Sequence, residues 1–66
     1  MKTLKNLEAI RTQRGVLQQD LADQLGVSQQ LISLLEKGKR DTTVANLILI
    51  AEYLDCSLDE LVGKEV

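Results

Sequence analysis

An all-α fold of five short helices is what this sequence predicts, and three observations predict it. Proline is absent from the 66 residues, and no stretch alternates apolar and polar residues as a strand would. Apolar residues recur instead at three- and four-residue intervals. Glycines and cap-forming Ser or Thr residues punctuate those intervals, marking ends and starts. At this length the chain is expected to form one domain over residues 1–66, because domains typically need roughly 100–200 residues each.

Leu4, Leu7 and Ile10, then Arg11, recur at helical spacing, and Gly15 ends this first helix. Leu21, Ala22 and Leu25 mark a second helix that begins near Gln18 and stops at Gly26. Ser28 offers an N-cap to the third, since its hydroxyl can accept a backbone N–H of the next turn. Leu31, Ile32, Leu34 and Leu35 belong to that helix, and Gly38 closes it from the left-handed region. Lys39 to Thr42 reads as a polar loop. Thr42 or Thr43 caps a fourth helix whose Leu47, Ile50, Ala51 and Leu54 form one stripe. Ser57-Leu58-Asp59-Glu60 is a capping box opening a short fifth helix that ends at Gly63. Helices this short cannot stand alone and must pack on one another.

Composition narrows the function. One cysteine and no histidine exclude an internal disulfide, an ordinary zinc site and any Cys–His or Ser–His catalytic pair. No enzyme activity, metal or cofactor is therefore expected. The longest apolar run, Leu47 to Ala51, is too short to span a bilayer. The first residues lack the apolar core of a signal peptide, so a cytoplasmic location is expected. The net charge of −2 would by itself argue against nucleic acid as a partner. Its distribution is uneven. Residues 1–40 hold seven basic groups (Lys2, Lys5, Arg11, Arg14, Lys37, Lys39, Arg40) against four acidic ones, a net +3. Residues 41–66 hold Lys64 against Asp41, Glu52, Asp55, Asp59, Glu60 and Glu65, a net −5. Such a split suits an oriented anion-binding domain, and equally a surface that charges merely solvate.

Residues 18–37 carry the most information. Their spacing is that of two helices crossing steeply through a tight turn. Ala22 is small where the helices approach, Gly26 supplies the positive φ of the turn, and Val27 plugs it. Position by position this stretch resembles the helix-turn-helix of the lambdoid phage repressor and Cro family, also called the Xre family. The resemblance covers residues 7–62. It includes Ile10-Arg11, Arg14-Gly15, Gln18, Leu21-Ala22 and Leu25-Gly26-Val27-Ser28-Gln29-Gln30. It continues through Ile32-Ser33, Glu36, Gly38-Lys39-Arg40, Ile50-Ala51 and Ser57-Leu58-Asp59-Glu60-Leu61.

The resemblance implies a compact five-helix repressor-like domain that binds duplex DNA through its third helix in the major groove. It implies base contacts from Ser28, Gln29, Gln30, Leu31, Ser33 and Leu34, and phosphate contacts from Gln18, Lys37, Lys39 and Arg40. A glutamine amide can pair bidentately with adenine, although two glutamines on a helix are also an ordinary solvated surface. Arg11 and Glu36 match a family ion pair bridging the first and third helices. A homodimer is implied too, with Leu58 and Val62 ranked above Leu49 and Tyr53 as its interface.

Several positions depart from the family. Leu17 stands where a Thr, Ser or Asn cap is usual, so the second helix is expected to start loosely or under a water cap. Leu31 and Leu34 are expected on the exposed side of the third helix. Thr42 replaces a loop proline, and Cys56 takes an aliphatic position as a small buried hydrophobe. The expected function is a sequence-specific transcriptional regulator, most simply a repressor that binds a palindromic operator as a homodimer. The alternative is a protein-interaction module, such as an antitoxin or anti-repressor subunit, using Leu31, Leu34 and the acidic C-terminal half.

Overall fold

Hydroxyl caps and positive-φ residues set the ends of most elements in the computed structural model, which describes residues 4–63. Lys2, Lys64 and Glu65 of the charge count lie outside that range. The elements run α1 (Leu7–Gln13), α2 (Gln18–Leu25), α3 (Gln29–Glu36), α4 (Val44–Leu54) and α5 (Leu58–Val62). No strand occurs among the described residues.

Three N-caps follow one scheme. Ser28 Oγ accepts from the Leu31 N–H at 3.1 Å, Thr43 Oγ1 from Asn46 at 3.1 Å, and Ser57 Oγ from Glu60 at 3.0 Å. Thr42 acts beside Thr43, its hydroxyl accepting from Asn46 Nδ2 at 3.1 Å. The Glu60 carboxylate reaches back to the Ser57 N–H at 2.8 Å, completing the box that opens α5.

The second helix corrects one expectation. Leu17 has no polar side chain, but Asp20 Oδ2 accepts from the Leu17 N–H at 3.2 Å. Half of a capping box thus survives the loss of the other half, so this start is tied by a carboxylate. The first helix corrects another. Leu4 is buried but precedes α1, in a turn closed by the Leu7 N–H on the Leu4 carbonyl at 3.1 Å. Asn6 is committed elsewhere: its N–H donates to the Leu61 carbonyl and its Nδ2 to the Glu60 carbonyl. These bonds moor the segment just before α1 to α5.

The turn between α2 and α3 is a Schellman motif. Gly26 has φ +72°, its N–H meets the Asp23 carbonyl, and the Val27 N–H meets that of Ala22 at 3.0 Å. A side chain at Gly26 would meet no steric obstacle; the left-handed backbone is what selects glycine there.

Every described helix contributes to one core. Leu7, Leu21, Ile32, Leu35, Ile50, Leu54 and Leu61 each keep less than 2% of their surface exposed. Ala22, in α2, is fully buried. Truncating any of these leucines to alanine typically costs about 2–5 kcal/mol. That is large for a chain whose whole stability, at roughly 0.05–0.15 kcal/mol per residue, is only several kcal/mol. The core therefore clamps α3 from behind and leaves its other face outward.

Candidate nucleic-acid interface

At 100° per residue, Ile32 and Leu35 define the inward face of α3, and Gln30, Ser33, Leu34 and Lys37 lie opposite. Ser28, Gln29, Gln30 and Lys37 are exposed, whereas Ser33, Leu31 and Leu34 are half-buried. Leu34 keeps to the outward side, as expected, though half-buried, and Leu31 departs from the expectation. Leu31 flanks the buried stripe and packs against the core. Together with Ser28, Gln30 and Arg40, Leu31 and Leu34 line a shallow surface groove. The loop beyond α3 turns back over this end of the helix, with the Lys39 N–H on the Leu34 carbonyl at 2.9 Å.

Lys37, Lys39 and Arg40 follow α3 in succession, all exposed. Among the described residues one ion pair is found, Arg11 with Glu36, and no carboxylate of those residues lies within salt-bridge distance of these three cations.

Behind α3 lies a connected set of polar side chains. Arg11 Nε donates to Glu36 Oε2, and Arg11 Nη2 to Glu36 Oε1 at 3.3 Å. Arg11 Nη1 donates to the Val16 carbonyl at 2.7 Å, holding the α1–α2 connection. Gln18 Nε2 donates to Glu36 Oε1 at 2.8 Å, and Gln29 Nε2 to Gln18 Oε1 at 3.3 Å. Gln18 is half-buried at the start of α2, engaged with two side chains of α3. No buried side-chain nitrogen or oxygen among the described residues lacks a partner.

The four residues singled out for self-association lie away from α3. Leu49, Tyr53 and Leu58 are 44%, 41% and 40% exposed, but Val62 is half-buried and packs on the core. Val44 and Ile48, at 68% and 44% exposure, extend the apolar surface of α4 along its other flank. The i, i+4 spacing of this second pair is visible in the sequence, as it is for Leu49 and Tyr53. Arg14 is a further polar anchor. Its Nε donates to the Leu54 carbonyl and its Nη2 to that of Asp55. Cys56 is half-buried against the core; burial, then the nearby Glu60 carboxylate, raises its thiol pKa. Among the described residues no helix is long and apolar enough to cross a membrane, and no cluster of three or more His, Cys, Asp or Glu residues could hold a metal ion.

Comparisons with known proteins agree with this geometry. A transcriptional regulator of the helix-turn-helix type from Bacillus subtilis, YqaE, is 38% identical over 61 residues, covering 92% of this chain and 53% of that protein. The transcriptional activator BcrR of Enterococcus faecalis is 34% identical over 98% of this chain and 32% of its own length. The phage repressor RstR of Vibrio cholerae is 34% identical over 92% of this chain and 57% of its own. This chain thus spans about half or less of these relatives. Among solved structures, the restriction-modification controller protein C.AhdI of Aeromonas hydrophila superposes with a TM-score of 0.76 at 30% identity, covering 85% of each chain. The helix-turn-helix family profile matches residues 7–61, nearly all of the described fold, and the chain belongs to that Xre-type helix-turn-helix family.

Proposed function

We propose that the chain is a cytoplasmic transcriptional regulator that binds a palindromic DNA operator as a two-fold homodimer and represses by occupying it. The observation that carries this reading is the outward face of α3. Gln30, Ser33 and Lys37 share it, Gln29 stands at its N-terminus, and the exposed cations Lys37, Lys39 and Arg40, which have no carboxylate partner among the described residues, follow it. Amide side chains at the start of such a helix read base edges, and cations beyond it meet phosphates. Gln18, Lys37, Lys39 and Arg40 take the phosphate role; Ser28, Gln29, Gln30, Leu31, Ser33 and Leu34 face the bases.

Dimerisation is supported by size. The described residues extend 32 Å at most, and successive major grooves on one face of the duplex lie about 34 Å apart. One copy therefore presents one α3 to one groove. Repression needs nothing beyond occupancy, and its relatives include both a repressor and an activator.

Selection of bound sequences from random duplexes tests the reading, followed by binding at several salt concentrations and a reporter placed behind the selected site. A two-fold symmetric consensus, an affinity that falls steeply with salt and a silenced reporter are expected. Enrichment of no sequence, or an activated reporter, overturns the DNA reading or the repressor assignment respectively. Salt-insensitive capture of a protein partner in place of DNA would favour the interaction-module reading.

A further inference from the structure

The groove between α3 and the loop that follows it sets two leucines beside a cation. Leu31 and Leu34 line it with Ser28, Gln30 and Arg40. The Lys39 N–H on the Leu34 carbonyl at 2.9 Å holds the loop over this end of the helix. Leu31 packs against the core. Leu34 is half-buried and stands one turn beyond Gln30 on the outward ridge of α3. Its side chain has no donor or acceptor, so it reads none of the polar pattern of a base edge and recognises only apolar surface. Arg40, on the groove's other side, is exposed, with no carboxylate of the described residues within salt-bridge distance.

We propose that Leu34, with Leu31 and Arg40 around the same groove, reads the C5-methyl group of a pyrimidine, so that cytosine methylation at one position of the bound duplex raises affinity. Resting on the DNA-binding reading above, this assignment names what the apolar part of that surface selects. Thymine carries the methyl group in the major groove, and 5-methylcytosine carries it on the same carbon. The two bases differ in their polar groups, O4 against N4–H2, which a leucine side chain does not distinguish. The C5 carbon lies at the backbone edge of its base, so methyl group and phosphate are neighbours. An apolar wall beside an exposed cation matches that pair. Gln30 and Lys37 on the same ridge, with Lys39 and Arg40 beyond, set the groove in a polar and basic surface. Duplex DNA complements that surface; an apolar protein segment does not.

The experiment measures binding to selected duplexes in which one pyrimidine at a time is thymine, uracil, cytosine or 5-methylcytosine. Thymine against uracil, opposite adenine, and 5-methylcytosine against cytosine, opposite guanine, each change a methyl group and no pairing group. At one position the methyl group is expected to raise wild-type affinity about fourfold in both comparisons, the effect of burying one such group. Leu34→Ala should bring both ratios at that position to near unity, with methyl effects elsewhere and the melting temperature unchanged. Leu34→Met, apolar and of similar volume, should keep most of the effect. The wild-type comparison involves no substitution in the protein, so it decides the proposal even if Leu34→Ala folds poorly. Salt-dependent binding with no methyl effect at any position overturns this proposal alone and gives the groove to a protein partner. A methyl effect that survives in Leu34→Ala, or that occurs with thymine but not with 5-methylcytosine, overturns it as well. A wild type that binds no duplex at low salt overturns the DNA-binding reading together with this proposal.

Discussion

Arg14 joins two elements forty positions apart in sequence: its Nε donates to the Leu54 carbonyl at 2.9 Å and its Nη2 to the Asp55 carbonyl at 3.2 Å. Leu54 is the last residue of α4, and Asp55 follows it in the left-handed region at φ +56°. A helix C-terminus leaves carbonyls unpaired and partly negative, and a guanidinium satisfies both conditions. Arg14→Ala is expected to cost about 1 kcal/mol, a fall of roughly 4–8 °C in melting temperature at this chain length. Arg14→Lys keeps the charge but not the fork and should recover part of it. An unchanged urea midpoint in Arg14→Ala would show that the interaction contributes nothing.

Arg11 and Glu36 are held more tightly, with 9% and 3% of their side chains exposed. Removing one partner of a buried pair leaves the other charge uncompensated, at about 3–5 kcal/mol. Arg11→Met and Glu36→Gln should each destabilise strongly, and the double variant should recover part of the loss. The expected coupling is read from urea unfolding at low temperature, where the weaker variants still fold. Strict additivity would mean the two side chains do not support each other.

These two interactions show how far the sequence can be read. Caps and glycines are local signals, and the starts at Ser28, Thr43 and Ser57 are legible because each hydroxyl acts on a backbone N–H three residues on. The Asp20 tie to Leu17 is legible by the same rule, since an acid at the third helical position is half of a capping box; the missing hydroxyl at Leu17 masks it. A helical wheel puts Leu31 beside the Ile32–Leu35 stripe and Leu34 on the outward face, but it omits the neighbouring chain that covers part of both. The Arg40 side of the loop forms one wall of their groove. The Gln29–Gln18–Glu36 chain of hydrogen bonds spans eleven and eighteen residues, and it follows only once the side chains are seen together. No spacing rule contains it.

Base reading and phosphate binding should separate by mutation. Gln30→Ala is expected to cost about 1–3 kcal/mol on the selected site and to relax preference at one or two positions. Arg40→Ala should weaken all sequences alike and flatten the plot of log affinity against log salt by about 0.9 for each phosphate it no longer neutralises. Equal losses on selected and random duplexes for both variants would show that these roles are misassigned.

The box at the start of α5 gives an acid dependence. Hydrogen bonds from the Ser57 backbone N–H and side chain hold the Glu60 carboxyl below its ordinary pKa. A glutamate whose folded pKa is depressed stabilises the fold above its unfolded pKa, near 4.3. That contribution is lost as pH falls through the lower, folded value. Protection of the Ser57 amide against hydrogen exchange should therefore fade on the acid side of about pH 4. Glu60→Gln, which cannot titrate, should remove that step from the profile. An acid step of the same size in Glu60→Gln would assign it to other carboxylates.

Self-association is the last expectation, and exposure reorders its candidates. Val62 is half-buried against the core, so a charge placed there would disturb the fold before any interface. Leu49 and Tyr53 lie one turn apart on α4 and are 44% and 41% exposed, with Leu58 at 40%. A helix that is apolar around most of its circumference is usually covered, and α4 has Val44 and Ile48 exposed along its other flank. In a two-fold interface each introduced charge appears twice, against its own copy or a fixed partner. Leu49→Glu should therefore shift the chain toward monomer in sedimentation without lowering its melting temperature at dilute concentration. It should also weaken binding to a palindrome far more than to an isolated half-site. If Leu58→Glu dissociates the chain and Leu49→Glu does not, the interface lies on α5 instead. A wild type that stays monomeric at high micromolar concentration and binds palindromes without cooperativity would refute the dimer altogether.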